Sequence, residues 1–264
     1  MSSNNSPVNV GLFVTCLVDL YRPNVGFAAI ALLEKAGCTV SVPDSQTCCG
    51  QPAFNSGETA NSKKIARNTI AAFDGFDYIV CPSGSCAGML REHYPELLAE
   101  DSAWATRAEE FSLRVHELTS FLVDVIGFKD LDAHFAHSVT YHDSCSGLRE
   151  IGIKAQPRDL LAKVEGLTLK EMADTEVCCG FGGTFRVKYP EISERMVSDK
   201  AALARQSEAE VLLAGDMGCL LNISGRLKRL EDRNAKDVSG MRVYHVAEVL
   251  AGMAEGAGIG DAET

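Results

Sequence analysis

Short apolar runs alternate with amphipathic stretches along this chain, and the alternation predicts its elements in order. Val8–Val14 is an apolar run of strand length, and Asn24–Lys35 places Phe27, Ile30, Ala31 and Leu33 at helical spacing before Gly37 ends it. Cys38–Val42 reads as a second strand, Glu58–Phe73 as a second helix and Asp77–Val80 as a third strand. The order then returns: strand Ser138–His142, helix Pro157–Val164, strand Leu167–Lys170, helix Glu191–Gln206 and strand Glu210–Ala214, with Arg242–Val246 as a further edge strand. Strands that alternate with helices pair in parallel, so the expected fold is α/β, with two duplicated βαβαβ parallel-sheet halves. Between the halves, Ala103–Ile126 reads as a mostly helical connector with an apolar stripe of Leu113, Leu118, Phe121, Leu122 and Val125. The expected divisions are residues 1–130 for the first domain with its connector, 131–251 for the second, and 252–264, rich in Gly, Ala and acids, for a flexible tail without core residues.

Cysteines repeat with the elements. Cys16, the run Cys48-Cys49-Gly50 and Cys86 return as Cys145, Cys178-Cys179-Gly180 and Cys219, at offsets of 129, 130 and 133 residues. Eight of the ten cysteines fall into these two sets, a recurrence that signals internal duplication. Each set follows the ends of three strands. Parallel strands bring their carboxyl ends to one edge of a sheet, where open α/β sheets bind ligands, so four thiols are expected to converge in each half.

Composition narrows the chemistry. A net charge of −11, with no block rich in Lys or Arg, opposes nucleic acid and anionic lipid as partners. No apolar run reaches membrane-spanning length, and the polar stretch Met1–Pro7 lacks the character of a signal peptide, so a cytoplasmic setting is expected. Cysteines in a reducing compartment serve metals or redox chemistry rather than a disulfide framework. Four thiolates suit an iron-sulfur cluster. They also suit structural zinc, although zinc ligands favour pairs two to four residues apart over adjacent ones. Cys38 has no counterpart in the second half and reads as a packing residue, whereas Cys81 is a possible fifth thiol.

Other residues near the cysteines carry alternatives. Gly180-Phe-Gly-Gly-Thr-Phe185 has the look of a dinucleotide loop but directly follows two candidate ligands, so its glycines fit close approach of backbone N–H groups to sulfur. His142 and Asp143 precede Cys145; His142 is either a proton acceptor for a hydroxy acid or a supporting buried imidazole. Arg149 and Arg186 are candidates for binding a carboxylate with paired hydrogen bonds, set against ordinary solvated arginines. His93, His116, His134, His137 and His245 have no ligand-like spacing and read as structural.

A lone cysteine, about thirty residues, Cys-Cys-Gly, and a further cysteine thirty to forty residues on, all present twice, resemble the cysteine-rich CCG-domain family of iron-sulfur proteins. The resemblance covers residues 8 to 230. It implies cluster ligation by Cys16, Cys48, Cys49, Cys86, Cys145, Cys178, Cys179 and Cys219, with two [4Fe-4S] clusters expected. Family members of the heterodisulfide reductase type end each repeat in Cys-x-x-Cys, but this chain has Ser83-Gly-Ser-Cys86 and Asp216-Met-Gly-Cys219. That departure turns the expectation from disulfide reduction toward the lactate-utilisation members, which Leu12–Cys16, Phe54–Gly57, Cys81–Cys86, His116–Phe121, Tyr141–Cys145 and Cys179–Phe185 resemble. The implied role is an electron-transfer subunit of a cytoplasmic complex that oxidises L-lactate to pyruvate, with other iron-sulfur subunits as partners and a small hydroxy acid as substrate. Disulfide reduction and a zinc-stabilised, non-enzymatic role remain the alternatives.

Overall fold

The computed structural model describes residues 7–233 and 240–261. Its first sheet holds β1 (Asn9–Leu12), β2 (Thr39–Ser41), β3 (Tyr78–Cys81) and β4 (Val115–Glu117), in the order β2-β1-β3-β4. The second holds β5 (Ser138–His142), β6 (Thr168–Leu169), β7 (Val211–Ala214) and β8 (Arg242–His245), in the order β6-β5-β7-β8. Every pairing is parallel, Val10 standing between Val40 and Tyr78 in one sheet as Val139 stands between Leu169 and Val211 in the other. The duplicated α/β architecture is therefore as the sequence predicts, and β8 lies at the sheet edge expected for it.

Four details differ from the sequence reading. The connector contains β4, whose three residues are too few to show a period but pair with Ile79, Val80 and Cys81. Its apolar stripe is broken, because Leu118, Phe121 and Leu122 are buried while Leu113 is exposed. The Pro23–Lys35 helix buries Val25, Ala28, Ala29, Leu32 and Leu33, whereas Phe27, expected on the inner face, lies outside. Residues 252–261 of the expected tail are packed rather than frayed, the last three residues lying outside the described ones: Ala254 and Ile259 are buried, and the Ile259 N–H donates to the Val243 carbonyl at 2.7 Å. Among the described residues no helix is long and apolar enough to cross a membrane.

The two sheets share one hydrophobic core, which includes Val10 and Leu12 of β1 together with Val139 and Tyr141 of β5. Short helices join them edge to edge. Gly84–Gly88 crosses Cys145–Arg149 so closely that a Cβ on Gly84 would stand 2.8 Å from the Gly147 Cα. Arg22, at the start of the Pro23–Lys35 helix, reaches Glu248 of the Val246–Leu250 helix at 2.8 Å. These contacts hold the carboxyl edges of both sheets beside one another.

Candidate metal centre

Each cysteine of the first set lies just past a carboxyl end of a strand. Cys16 opens the Cys16–Tyr21 helix after β1, Cys48 and Cys49 fill the loop after β2, and Cys86 lies in the Gly84–Gly88 helix after β3. The vicinal pair divides its work. Cys48 Sγ lies 3.7 Å from Cys16 Sγ, and Cys49 Sγ lies 3.4 Å from Cys86 Sγ. Half two repeats the division, with Cys178 Sγ at 3.9 Å from Cys145 Sγ and Cys179 Sγ at 3.0 Å from Cys219 Sγ. Glycine makes the split possible. Gly50 and Gly180 adopt φ of 83° and 79°, a left-handed turn that redirects the chain directly after each pair.

Hydrogen bonds set the charge state of the thiols. The Cys16 thiol, then Cys49 and the N–H groups of Gly50 and Cys49, hold Cys48 down at about 3. Cys145, then Cys179 and the Gly180 N–H, hold Cys178 down at about 2. Their donors, Cys16 and Cys145, are pushed upward by the same hydrogen bonds and by burial. Cys48 and Cys178 are thus held ready as thiolates to meet a cation, and thiolates are the metal-binding form.

The widths of the quartets bear on what they can hold. Zinc with four sulfurs at about 2.3 Å needs all of its sulfur–sulfur edges near 3.8 Å. Among the described residues, the group whose ligand atoms all lie within 4.8 Å of one another is His142, Cys179 and Cys219, rather than a trio within either quartet. Neither quartet as it stands draws three of its sulfurs to the mutual spacing of a single tetrahedral ion. Cys81 is fully buried at the end of β3 and, after Cys49, helps to hold the Cys86 thiol down at about 5. Cys38 packs in the hydrophobic core.

A cavity of about 210 Å³ opens beside the first quartet. Thr15, Cys16, Cys48, Cys49, Ser85 and Cys86 form one wall, and Phe181, Thr184, Val187 and Met217 of half two form the other. His142 and Arg186 lie elsewhere. His142 is wholly buried and kept neutral, its pKa pushed down to about 4 by burial and by Lys200. Arg186 is exposed on the Phe185–Lys188 helix and lines a separate cleft with Asn222, Arg226 and Arg229. Asp143 pairs with Arg158 at 2.8 Å, while Arg149 is exposed near the Glu176 carbonyl. Of the remaining histidines, His93, His134 and His137 face glutamates, His116 packs against Tyr78 and Phe121, and His245 caps the Val246–Leu250 helix.

The pattern that defines the CCG cysteine-rich domain matches residues 10–91 and 139–224, once in each half. The chain belongs to the CCG family. Among its relatives, lactate utilization protein A of Bacillus velezensis is 47% identical over 92% of this chain and 99% of its own length. The protein of the same name from Bacillus subtilis is 46% identical over the same shares, and that from an Exiguobacterium species is 49% identical over 92% and 96%. In three dimensions the chain is similar to a crystal structure of a hypothetical protein from Helicobacter pylori, with a TM-score of 0.65 and 12% identity. That match covers 96% of this chain and 50% of the Helicobacter chain, and it speaks for the fold alone.

Two residues that sequence reasoning treated only as gaps take a definite place in this CCG chain. Ser83 and Asp216 stand where disulfide-reducing members would carry the first cysteine of each terminal pair, and Ser83 Oγ donates to Asp216 Oδ2 at 3.1 Å across the halves. Asp216 also accepts from the Ser85 N–H at 3.0 Å and the Gly218 N–H at 3.1 Å. The Cys86 N–H donates to Ser83 Oγ at 3.3 Å. Their signal was legible as helix-capping chemistry, a Ser or Asp three residues before each cysteine, but their mutual contact was not.

Proposed function

We propose that this chain holds one iron-sulfur cluster in each half, most simply a [4Fe-4S] cluster, and carries electrons in the oxidation of L-lactate to pyruvate. The observation that carries the reading is the pairing of each Cys-Cys-Gly dipeptide, one thiol to the first loop and one to the third, repeated in both halves. Cys16, Cys48, Cys49 and Cys86 would hold one cluster, and Cys145, Cys178, Cys179 and Cys219 the other. Such clusters supply one-electron uptake and release when bound. The protein supplies their positions, their burial and N–H groups such as that of Gly180, which approaches Cys178 Sγ at 3.4 Å. The relatives named for lactate utilisation supply the substrate class.

The cavity beside the first quartet is not built to hold lactate. The residues that line the cavity beside the first quartet offer hydroxyls, an amide and the Asp216 carboxylate, but no Arg or Lys to neutralise a substrate carboxylate. Val187 at the cavity is 80% exposed, and Tyr189 and Ile192 just beyond it are exposed as well. An apolar rim next to a redox site suits a docking iron-sulfur protein. A disulfide-reducing role is the weaker reading, because Ser83 and Asp216 are tied to each other where two further thiols would be needed.

Anaerobic purification and metal analysis test the reading. The protein should be brown and contain roughly eight iron and eight sulfide per chain, the load of two four-iron clusters. Cys48→Ser and Cys178→Ser should each remove about half of that iron. Stoichiometric zinc without sulfide would end the electron-transfer reading.

A further inference from the structure

The second quartet has a neighbour for which the first has no equivalent. His142 ends β5, three residues before Cys145, and the same offset before Cys16 falls on Phe13, a buried hydrocarbon ring. We propose that His142 is a nitrogen ligand to the metal group of the second quartet, so that half two binds through sulfur and imidazole while half one binds through sulfur alone. The proposal rests on the reading above that this quartet holds a metal group.

Three observations meet at this residue. His142 is 0% exposed, and neither Nδ1 nor Nε2 has a hydrogen-bond partner. A ring nitrogen lies within 4.8 Å of both Cys179 Sγ and Cys219 Sγ, the sulfur pair that approaches to 3.0 Å. Three charged groups near it are already committed. Asp143 receives both terminal nitrogens of Arg158 at 2.8 and 3.0 Å, Lys200 Nζ donates to the Asp174 and Thr175 carbonyls, and Asp216 accepts from Ser83 and two backbone N–H groups. A buried imidazole needs a partner for at least one nitrogen, and a cation shared with the two thiols would supply it.

Unequal ligand sets would distinguish the two sites. His142 joins the four cysteines of the second quartet rather than displacing one, so half two would hold its metal group through a donor that half one lacks. That difference is one the duplicated cysteines alone leave undefined.

Pulsed electron paramagnetic resonance of the reduced full-length protein, with and without ¹⁵N-labelled histidine, tests the assignment. The expected result is a nitrogen coupling typical of a directly bound imidazole, sensitive to the label and absent from His142→Cys. That variant, which offers a thiolate instead, should keep its iron and show a lower potential at one of its two clusters. A purely supporting imidazole would give no such coupling. A full iron load without histidine coupling, or a coupling that survives in His142→Cys, overturns the proposal and leaves the two-cluster reading intact. Absence of iron and sulfide from the wild-type protein overturns both, and metal analysis separates that outcome from the first.

Discussion

The two glycines that follow the cysteine pairs carry the same burden unequally. Both hold left-handed backbone, which an L side chain occupies at a cost of roughly 1–2 kcal/mol. An added Cβ at Gly50 would meet only the Ile65 side chain, at 3.1 Å, which has room to turn. At Gly180 it would meet the Ser193 carbonyl oxygen and Met196 Cβ, both at 2.9 Å, on the Pro190–Gln206 helix. Gly180→Ala should therefore destabilise the chain clearly more than Gly50→Ala, and urea midpoints of the two variants check the order. The turn after each cysteine pair was legible from the Cys-Cys-Gly motif itself. Which glycine lies under a helix was not, because Ser193 is thirteen residues away in the sequence.

At the scale of elements, β4 shows why three residues escape a periodicity argument. Val115, His116 and Glu117 alternate in their burial, but a single alternation is no pattern, and only pairing with β3 makes them a strand. The strand ends on Glu117, whose carboxylate accepts from the Thr119 N–H at 2.8 Å, from the Thr119 hydroxyl at 2.6 Å and from the Ser120 N–H at 3.1 Å. Burial outweighs these bonds and pushes its pKa up to about 7. A carboxyl group whose folded pKa is raised stabilises the fold below its ordinary pKa, and that contribution is lost as pH rises through about 7. Glu117→Gln should remove the slope: the difference in thermal midpoint between variant and wild type should grow in the variant's favour from about pH 5 to about pH 8. The Pro23–Lys35 helix makes the same point about faces. Its inner stripe is partly alanine, Ala28 and Ala29, and small residues carry a weak hydrophobic signal, so Phe27 draws a sequence reading to the wrong face.

Across the whole molecule, contacts between the halves do what neither half does alone. Glu248 is fully buried and receives Arg22 Nε and Asn24 Nδ2 at 2.8 Å each, while its other oxygen accepts the His245 N–H at 3.1 Å. Loss of one partner strands a buried charge, so Arg22→Ala should cost on the order of 3 kcal/mol in urea unfolding. The double variant Arg22→Met with Glu248→Gln should recover much of that loss, because no charge remains to be stranded. Asp216 works in the same direction closer to the thiols, binding the loop of Cys86 to the loop of Cys219.

The repeat of cysteines, the alternation of strands and helices and the glycine after each vicinal pair are local or periodic, and these alone determined the duplicated parallel architecture and the eight candidate ligands. Pairing of one vicinal thiol to the first loop and the other to the third, the junction of Ser83 with Asp216, the cavity shared by both halves and the unpartnered imidazole of His142 were decided only in three dimensions. The reason is physical. Each depends on groups more than thirty residues apart whose approach is set by the packing of two sheets, and chain spacing carries no record of which side chains that packing turns toward one another.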